Sequence, residues 1–410
     1  MMTEYVLKDR RTLLRFREGP IGPFMDRFSE QLRHDGFSAG YACLLLRQVA
    51  GFSQWLKSNR IELHEVVSEH AQKYLRYRVR KHRHLQGAAA ALNRVLNFLH
   101  QEGLSANEPE STPTPAEAVT REFVLYLQTE RALAPATVKY YREFAGRFLS
   151  ELFADAEVDV SKICATDVVS FVRQQASIHT KRSRQVTTAL RSFLRYARYR
   201  GYVEIDLAAC VPAVANWSGQ SLPKSLPQEA VQLVLASCDR RSAIGRRDYA
   251  MFLLLARLGL RAGEVVSLSL GDIDWRGGLI RIHGKGGHWC QLPLPTDVGE
   301  AIAAYLLDGR SSYGSRSLFV RDRPPFVALS VAALSTRVRC AIERTGINTF
   351  RKGAHQFRHS LATEMLRQGS TLAEIGEILR HRSPQSTEVY AKVDFISLRP
   401  LALRWPGGAQ

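Results

Sequence analysis

The sequence predicts a mainly α-helical chain with a small antiparallel β-sheet in its C-terminal domain and an N-terminal helical region that is duplicated. Three observations lead there. Apolar residues recur at helical spacing through most of the chain, as in YACLLLRQVAGFSQWL and AAAALNRVLNFL. Two segments of the first half line up with each other at a nearly constant offset. Near residue 280 the pattern changes to strand, glycine turn and strand, as in IRIHGKGGHWCQLPL.

Length and composition set bounds on these elements. At 410 residues the chain is long enough for two or three domains, each with its own core. A hydrophobic share of 45% and a charged share of 23% are those of an ordinary globular protein. The net charge of +18 is not ordinary, and points to a polyanionic partner, nucleic acid above all. The opening MMTEYVLKDRRTLLRFREG has scattered charges and no apolar run, which argues against a signal peptide. No later stretch has the roughly 18 uninterrupted apolar residues of a membrane span. Cys43, Cys164, Cys210, Cys238, Cys290 and Cys340 form no CxxC pair. They read as buried thiols of a protein in a reducing cytoplasm, against a disulfide framework or a zinc ribbon. A cytoplasmic, nucleoid-associated protein is expected.

Residues 1–20 are a charged lead-in, and 21–105 form an all-helical N-terminal domain. Within it, YLRYRVRKHRHLQG carries Arg76, Arg78, Arg80, Lys81 and Arg83 among Tyr74 and Tyr77, either a solvated face or a DNA-backbone contact. Residues 106–117, rich in Pro, Glu, Ser and Thr, cannot bury a core and form a linker. Residues 118–206 form a second helical domain. GFSAGYACLLLRQVAGFSQWL aligns with ALAPATVKYYREFAGRFLSEL, and ALNRVLNFLHQEGL with ALRSFLRYARYRGY, which reads as a duplicated helical domain. From Arg173 to Arg200 the second copy has no acidic residue. Arg182 and Arg184 lie in this run, and Arg191, Arg195 and Arg198 project from one helical face opposite Leu190, Phe193, Leu194 and Ala197. One cationic and one apolar face suit a helix lying on a phosphate backbone.

Residues 207–226 form a second linker, followed by the final domain at 227–400 and a tail at 401–410. Helices are expected near 227–238, 244–258, 262–269, 296–308, 330–344 and 354–368, with strands near 273–275, 279–283 and 288–293. Arg261 stands in a turn that starts a helix, one turn before Glu264: an anion site or, for a lone arginine, a surface ion pair. Lys285 is at the hairpin tip; GKGG lacks the GxxxxGK[ST] pattern and is followed by a strand, so a P-loop is rejected. His355 and His359 stand four apart, but Gln356 replaces the glutamate of a zinc protease, so no metal is expected. His355 and Arg358 share a helix face; His381 and Tyr390 follow.

The order Arg261, Lys285, His355-x-x-Arg358, His381, Tyr390, within LGLRAGEVVSL, HGKGGH and HQFRHSLATEML, resembles the tyrosine recombinase (phage integrase) family over about residues 225–395. Residues 118–205 resemble that family's core-binding domain. The resemblance implies that Tyr390 attacks a scissile DNA phosphate to give a 3′-phosphotyrosyl enzyme. Arg261 and Arg358 would hold the non-bridging oxygens. Lys285 would protonate the departing 5′-oxygen. His355 would manage the Tyr390 proton, and His381 would hydrogen-bond the phosphate. No cofactor or metal is implied. The implied partners are paired sites on double-stranded DNA, bound by a homotetramer, with accessory proteins possible and no membrane. The implied role is integration, excision or transposition of a mobile element. Type IB topoisomerase chemistry and a DNA-binding protein with an inert site are the alternatives. Two features depart from the family: Leu379-Arg380-His381 stands where Leu-Gly-His is usual, and the duplicated helical domain exceeds the common layout.

Overall fold

In a computed structural model of the chain, the described residues are 14–80, 87–105, 114–154, 156–178, 183–213, 225–284, 287–311, 314–349, 352–381 and 383–393. Two compact units result, Met1–Asn107 together with Gly219–Gln410, and Glu108–Ser218. Most of the first linker, most of the second and the tail lie outside the described residues, as do Lys81, Arg83, Arg182 and Lys285.

The N-terminal part of the first unit holds helices α1 (Met25–His34), α2 (Ala39–Ser58), α3 (Ser68–Arg80) and α4 (Ala88–Gln101). Ser38 starts α2 by accepting a hydrogen bond from the Tyr41 amide, satisfying one of the free donors at a helix start. Phe28, Leu46, Val49, Phe52, Leu92 and Leu99, the apolar positions of the sequence pattern, meet in one core.

The second unit repeats this order. Helices α5 (Pro115–Thr129) and α6 (Pro135–Phe153) are followed by a 3-10 turn, Val160–Lys162, and by α7 (Ala165–Ile178) and α8 (Ser183–Tyr199). A 3-10 turn, Leu63–Glu65, holds the same place between α2 and α3. The aligned sequence segments thus fall on α2 with α6 and on α4 with α8. Thr114 and Glu117 cap α5 reciprocally, and Pro115 occupies its first turn, where a missing N–H costs nothing. Phe123, Phe148, Leu190, Phe193 and Leu194 form the core, with Phe123 and Phe193 edge to face at 5.4 Å.

From residue 225 the first unit continues with α9 (Gln228–Ala236), α10 (Ala243–Arg257) and α11 (Ala262–Ser267). Strands β1 (Ile273–Asp274), β2 (Leu279–His283) and β3 (Trp289–Pro293) form an antiparallel sheet in the order β1-β2-β3. Then come α12 (Thr296–Asp308), α13 (Val331–Arg344), α14 (His355–Arg367), α15 (Leu372–Ile378) and α16 (Gln385–Glu388), and a closing 3-10 turn, Val389–Val393. Ile280 and Ile282 point into the core while Arg281 and His283 face outward, the alternation of a strand buried on one side. Helix α10 is central: it packs on α12 and α14 and buries Met251, Phe252, Leu254 and Leu255 completely. A separate small cluster joins Ala362, Leu366, Ile375 and Leu379 to Tyr390.

The expected fold class, mainly helical with a small C-terminal antiparallel sheet, is the one found. The expectation for the cysteines needs correction. All six are free, but only Cys238 is buried, and Cys164, Cys210 and Cys340 are exposed. Isolated cysteines within helical patterns do not reveal which face they occupy.

Candidate active site

The site is assembled where α11, the β2–β3 hairpin, α14 and the end of α15 come together. Arg261 is the N-cap residue of α11, in extended conformation. The Glu264 carboxylate accepts from the Arg261 backbone N–H at 2.9 Å and from its Nη1 at 2.7 Å. The same carboxylate that caps the helix therefore also orients the arginine. Glu264 is 4% exposed. Burial pushes its carboxyl up, but the hydrogen bonds from Arg261 and the charge of Arg380 outweigh this and hold it below its ordinary value. It stays ionised.

Arg358, on α14, is buried beneath this group. Its Nη1 donates to the Gly259 carbonyl at 2.5 Å and its Nη2 to the Leu379 carbonyl. It thereby ties the turn before α11 to the end of α15. Gly259 has φ +56, and a Cβ there would come within 2.7 Å of Leu379 Cδ2, so the turn requires glycine. Burial, with Arg261 and Arg380 adding repulsion, lowers the Arg358 guanidinium to about 10, still charged at neutral pH.

Helix α15 ends in a Schellman motif. The Arg380 N–H bonds back to the Glu377 carbonyl and the His381 N–H to the Gly376 carbonyl, both at 2.9 Å. Arg380 takes the left-handed position of that motif, with φ 55. Glycine suits such a position, since the cost to another residue is a left-handed backbone, roughly 1–2 kcal/mol. The Arg380 guanidinium reaches Glu264 Oε2 at 3.2 Å and the Ile378 carbonyl at 3.1 Å.

His381 follows immediately. Its Nδ1 is 2.7 Å from Thr387 Oγ1, and burial, together with Arg358, Arg261 and Arg380, lowers it to about 4. The imidazole is neutral at pH 7. In the tautomer whose Nδ1 accepts from the threonine hydroxyl, the ring proton is on Nε2, available to an acceptor. Arg261, Glu264, Gly284, His288, Cys290, Arg380, His381, Ser383 and Ser386 line one cavity of about 450 Å³.

Tyr390 lies in the closing 3-10 turn, 1% exposed, with burial pushing its hydroxyl up to about 12. The hydroxyl is 2.9 Å from Nδ1 of His359. The imidazole against the phenol is thus His359, one helical turn beyond His355, the residue to which the resemblance gives the Tyr390 proton. His355 is exposed, and its ring centroid is 6.2 Å from that of His359. The spacing of four between the histidines, which puts both on one helix face, is the signal in the sequence for His359. Thr387, His288, Ser383 and Ser386 are further residues of the site that the sequence did not single out. Gly284, at the cavity wall, accounts for the start of the hairpin tip; Lys285 itself lies outside the described residues.

In the second unit, Arg184, Arg195 and Arg198 are exposed on α8. Arg198 pairs with Asp206 at 3.5 Å. Arg191 does not join them as a surface cation: it is half-buried and donates to the Val211 carbonyl at 2.8 Å and to that of Pro212 at 3.2 Å. It holds the segment after α8 against the helix.

Known proteins resemble this chain along nearly its whole length. Residues 224–396 match the phage integrase family model. A putative integrase/recombinase, y4rA, of Sinorhizobium fredii is 45% identical, the match covering 99% of this chain and all of that one. Tyrosine recombinase XerC of Oceanobacillus iheyensis is 30% identical over 68% of this chain and 92% of its own length. Among solved structures, XerH site-specific recombinase bound to palindromic difH substrate in a post-cleavage complex shares the fold, with a TM-score of 0.59 at 19% identity over 71% of this chain and 97% of that one. Near full-length similarity to y4rA, together with the matched family model, places the whole chain: it belongs to the tyrosine recombinase (phage integrase) family.

Proposed function

We propose that this protein is a site-specific recombinase that breaks and rejoins DNA through Tyr390. The observation that carries the reading is the placing of a phenol against an imidazole, Tyr390 against His359, with Arg358 near both the phenol and the Arg261 and Arg380 that wall a cavity with His381. A phosphodiester brought there meets cationic donors in a partly enclosed space, where they act most strongly on developing charge. The Tyr390 oxygen forms a bond to phosphorus, the phosphorus–O5′ bond breaks, and the DNA is left as a 3′-phosphotyrosyl ester and a free 5′-hydroxyl. His359 takes the phenol proton, and Lys285, next after Gly284 in the sequence, gives one to the departing oxygen. Arg261 and Arg358 offset charge on the non-bridging oxygens, and His381 donates from Nε2. One phosphodiester replaces another, so rejoining to a different 5′-hydroxyl needs no external energy.

Strand exchange between paired duplex sites calls for several copies, hence a homotetramer on DNA, serving a mobile element with or without accessory proteins. Arg184, Arg195 and Arg198 give α8 a cationic face for the backbone of that DNA, and Arg182 extends the run in sequence. The test is incubation with nicked duplexes that tile the DNA flanking its own gene. A covalent protein–DNA adduct is expected, lost in Tyr390→Phe. Absence of an adduct, or its survival in Tyr390→Phe, would overturn the reading.

A further inference from the structure

We propose that Arg380, the residue standing where glycine is usual, donates a hydrogen bond to the scissile phosphate alongside Arg261. The inference rests on the recombinase reading above and adds a residue to it. The geometry points to it in three ways. First, Arg261 and Arg380 occupy the two oxygens of a single buried carboxylate: Arg261 Nη1 is on Glu264 Oε1 at 2.7 Å, and Arg380 Nη2 is on Oε2 at 3.2 Å. Arg380 Nη1 is on the Ile378 and Leu258 carbonyls, which leaves its Nε and one Nη2 hydrogen to donate, and both arginines line the cavity that His381 also lines. Second, among the described residues the charges are unbalanced. Arg261, Arg358 and Arg380 are gathered around Glu264 alone, so the cluster is completed by an anion with several oxygens. Third, the Arg380 side chain is only 14% exposed and its Nε is buried without a hydrogen-bond partner among the described residues. A donor of this kind, attached to a left-handed backbone that disfavours arginine, is held in a fixed place rather than left to solvent.

A phosphate seated between the two arginines accepts a hydrogen bond from each on its own oxygens, while Glu264 keeps both guanidiniums aligned. Arg380 then supplies charge complementary to the pentacoordinate phosphorus, more than to the DNA backbone as a whole. Its removal is therefore expected to slow cleavage rather than to loosen binding.

Arg380→Gly is the variant of choice, because glycine suits the left-handed position and leaves the helix end intact. It is compared with the wild-type protein on nicked duplexes from the DNA flanking the gene, with the scissile group either a phosphodiester or a methylphosphonate, which lacks the anionic oxygen. On the phosphodiester, adduct formation in the variant is expected to slow by about 10-fold or more, the loss typical of one donor to a transition-state oxyanion. Affinity for the same duplex is expected to stay within about threefold. On the methylphosphonate, the gap between wild type and variant is expected to close to about threefold, since there is less charge to offset. Equal slowing on both substrates would make Arg380 a merely structural residue and overturn the proposal. So would an unslowed variant beside a wild type that forms the adduct. A wild type that forms no Tyr390-dependent adduct overturns the recombinase reading itself, and this with it.

Discussion

The contact between His359 and Tyr390 leads to the sharpest prediction. In the free protein the phenol is pushed up to about 12 by burial, so at pH 8 the phenolate fraction is on the order of 10⁻⁴. An imidazole 2.9 Å away that takes the proton during attack makes up part of that deficit. Its contribution should lie in the roughly 10²–10⁴-fold range of positioned general bases, with the phenolate fraction setting the ceiling. His359→Ala is therefore expected to lower the single-turnover rate of adduct formation by about 10²-fold or more at pH 7.5. It should also change the pH profile. Without an internal proton acceptor, attack depends on preformed phenolate, and the rate climbs about tenfold per pH unit over the alkaline range. Folding should suffer by only about 1 kcal/mol, the worth of one hydrogen bond. His355→Ala is the control, since its ring stands off at 6.2 Å from that of His359, the imidazole that lies 2.9 Å from the phenol oxygen. The assay is a quenched time course on a nicked duplex from pH 6 to pH 10. Should His355→Ala lose as much rate as His359→Ala, or should the His359→Ala profile keep the wild-type shape, the phenol proton does not go to His359.

Further expectations concern the second unit and the pH response. Arg195→Ala should weaken DNA binding and reduce the salt slope by about one counterion, without altering stability. Arg191→Ala should behave differently, costing about 1–3 kcal/mol in denaturant unfolding because the Val211 and Pro212 carbonyls lose a charged donor. Equal effects of the two changes on stability would contradict the roles separated here. For His381, the folded state disfavours protonation, with a value near 4 against 6.5 for the free side chain. The unfolded chain thus binds the extra proton first, and stability falls as pH drops from about 6.5 towards 4. His381→Gln should flatten that part of the melting-temperature profile; an unchanged acid limb would assign it to other groups.

Much of the fold was legible because helical periodicity and glycine turns are local signals. The strands near Ile282 and Cys290 and the helices around Phe252 and Ala362 were expected within a residue or two of where they occur. The repeated order of α1–α4 and α5–α8, each with its intervening 3-10 turn, follows segments that align in the chain itself. The site was legible as a set of residue types in order, from Arg261 to Tyr390. Partners were not, because they depend on which groups meet across large separations. Arg358 reaches Gly259 and Leu379 through space, and no spacing announces that it is buried there. Arg191 shares the helical stripe of Arg195 and Arg198, yet the segment at Val211 folds back and occupies it.

The sequence by itself determined the family, the helical character and small sheet, and the identity of the chemically capable residues, since these rest on local pattern and on the order of motifs. Only the tertiary structure decided which histidine stands against the Tyr390 hydroxyl and where the Arg380 guanidinium lies. Both turn on hydrogen bonds a few ångströms long between residues whose separation in the chain carries no information about direction. His359 takes the place expected of His355 because one turn of α14 carries its ring to the buried phenol. Arg380 changes from an exception in a glycine position to the end of a helix whose guanidinium shares Glu264 with Arg261, because the left-handed turn there aims its side chain into the cavity.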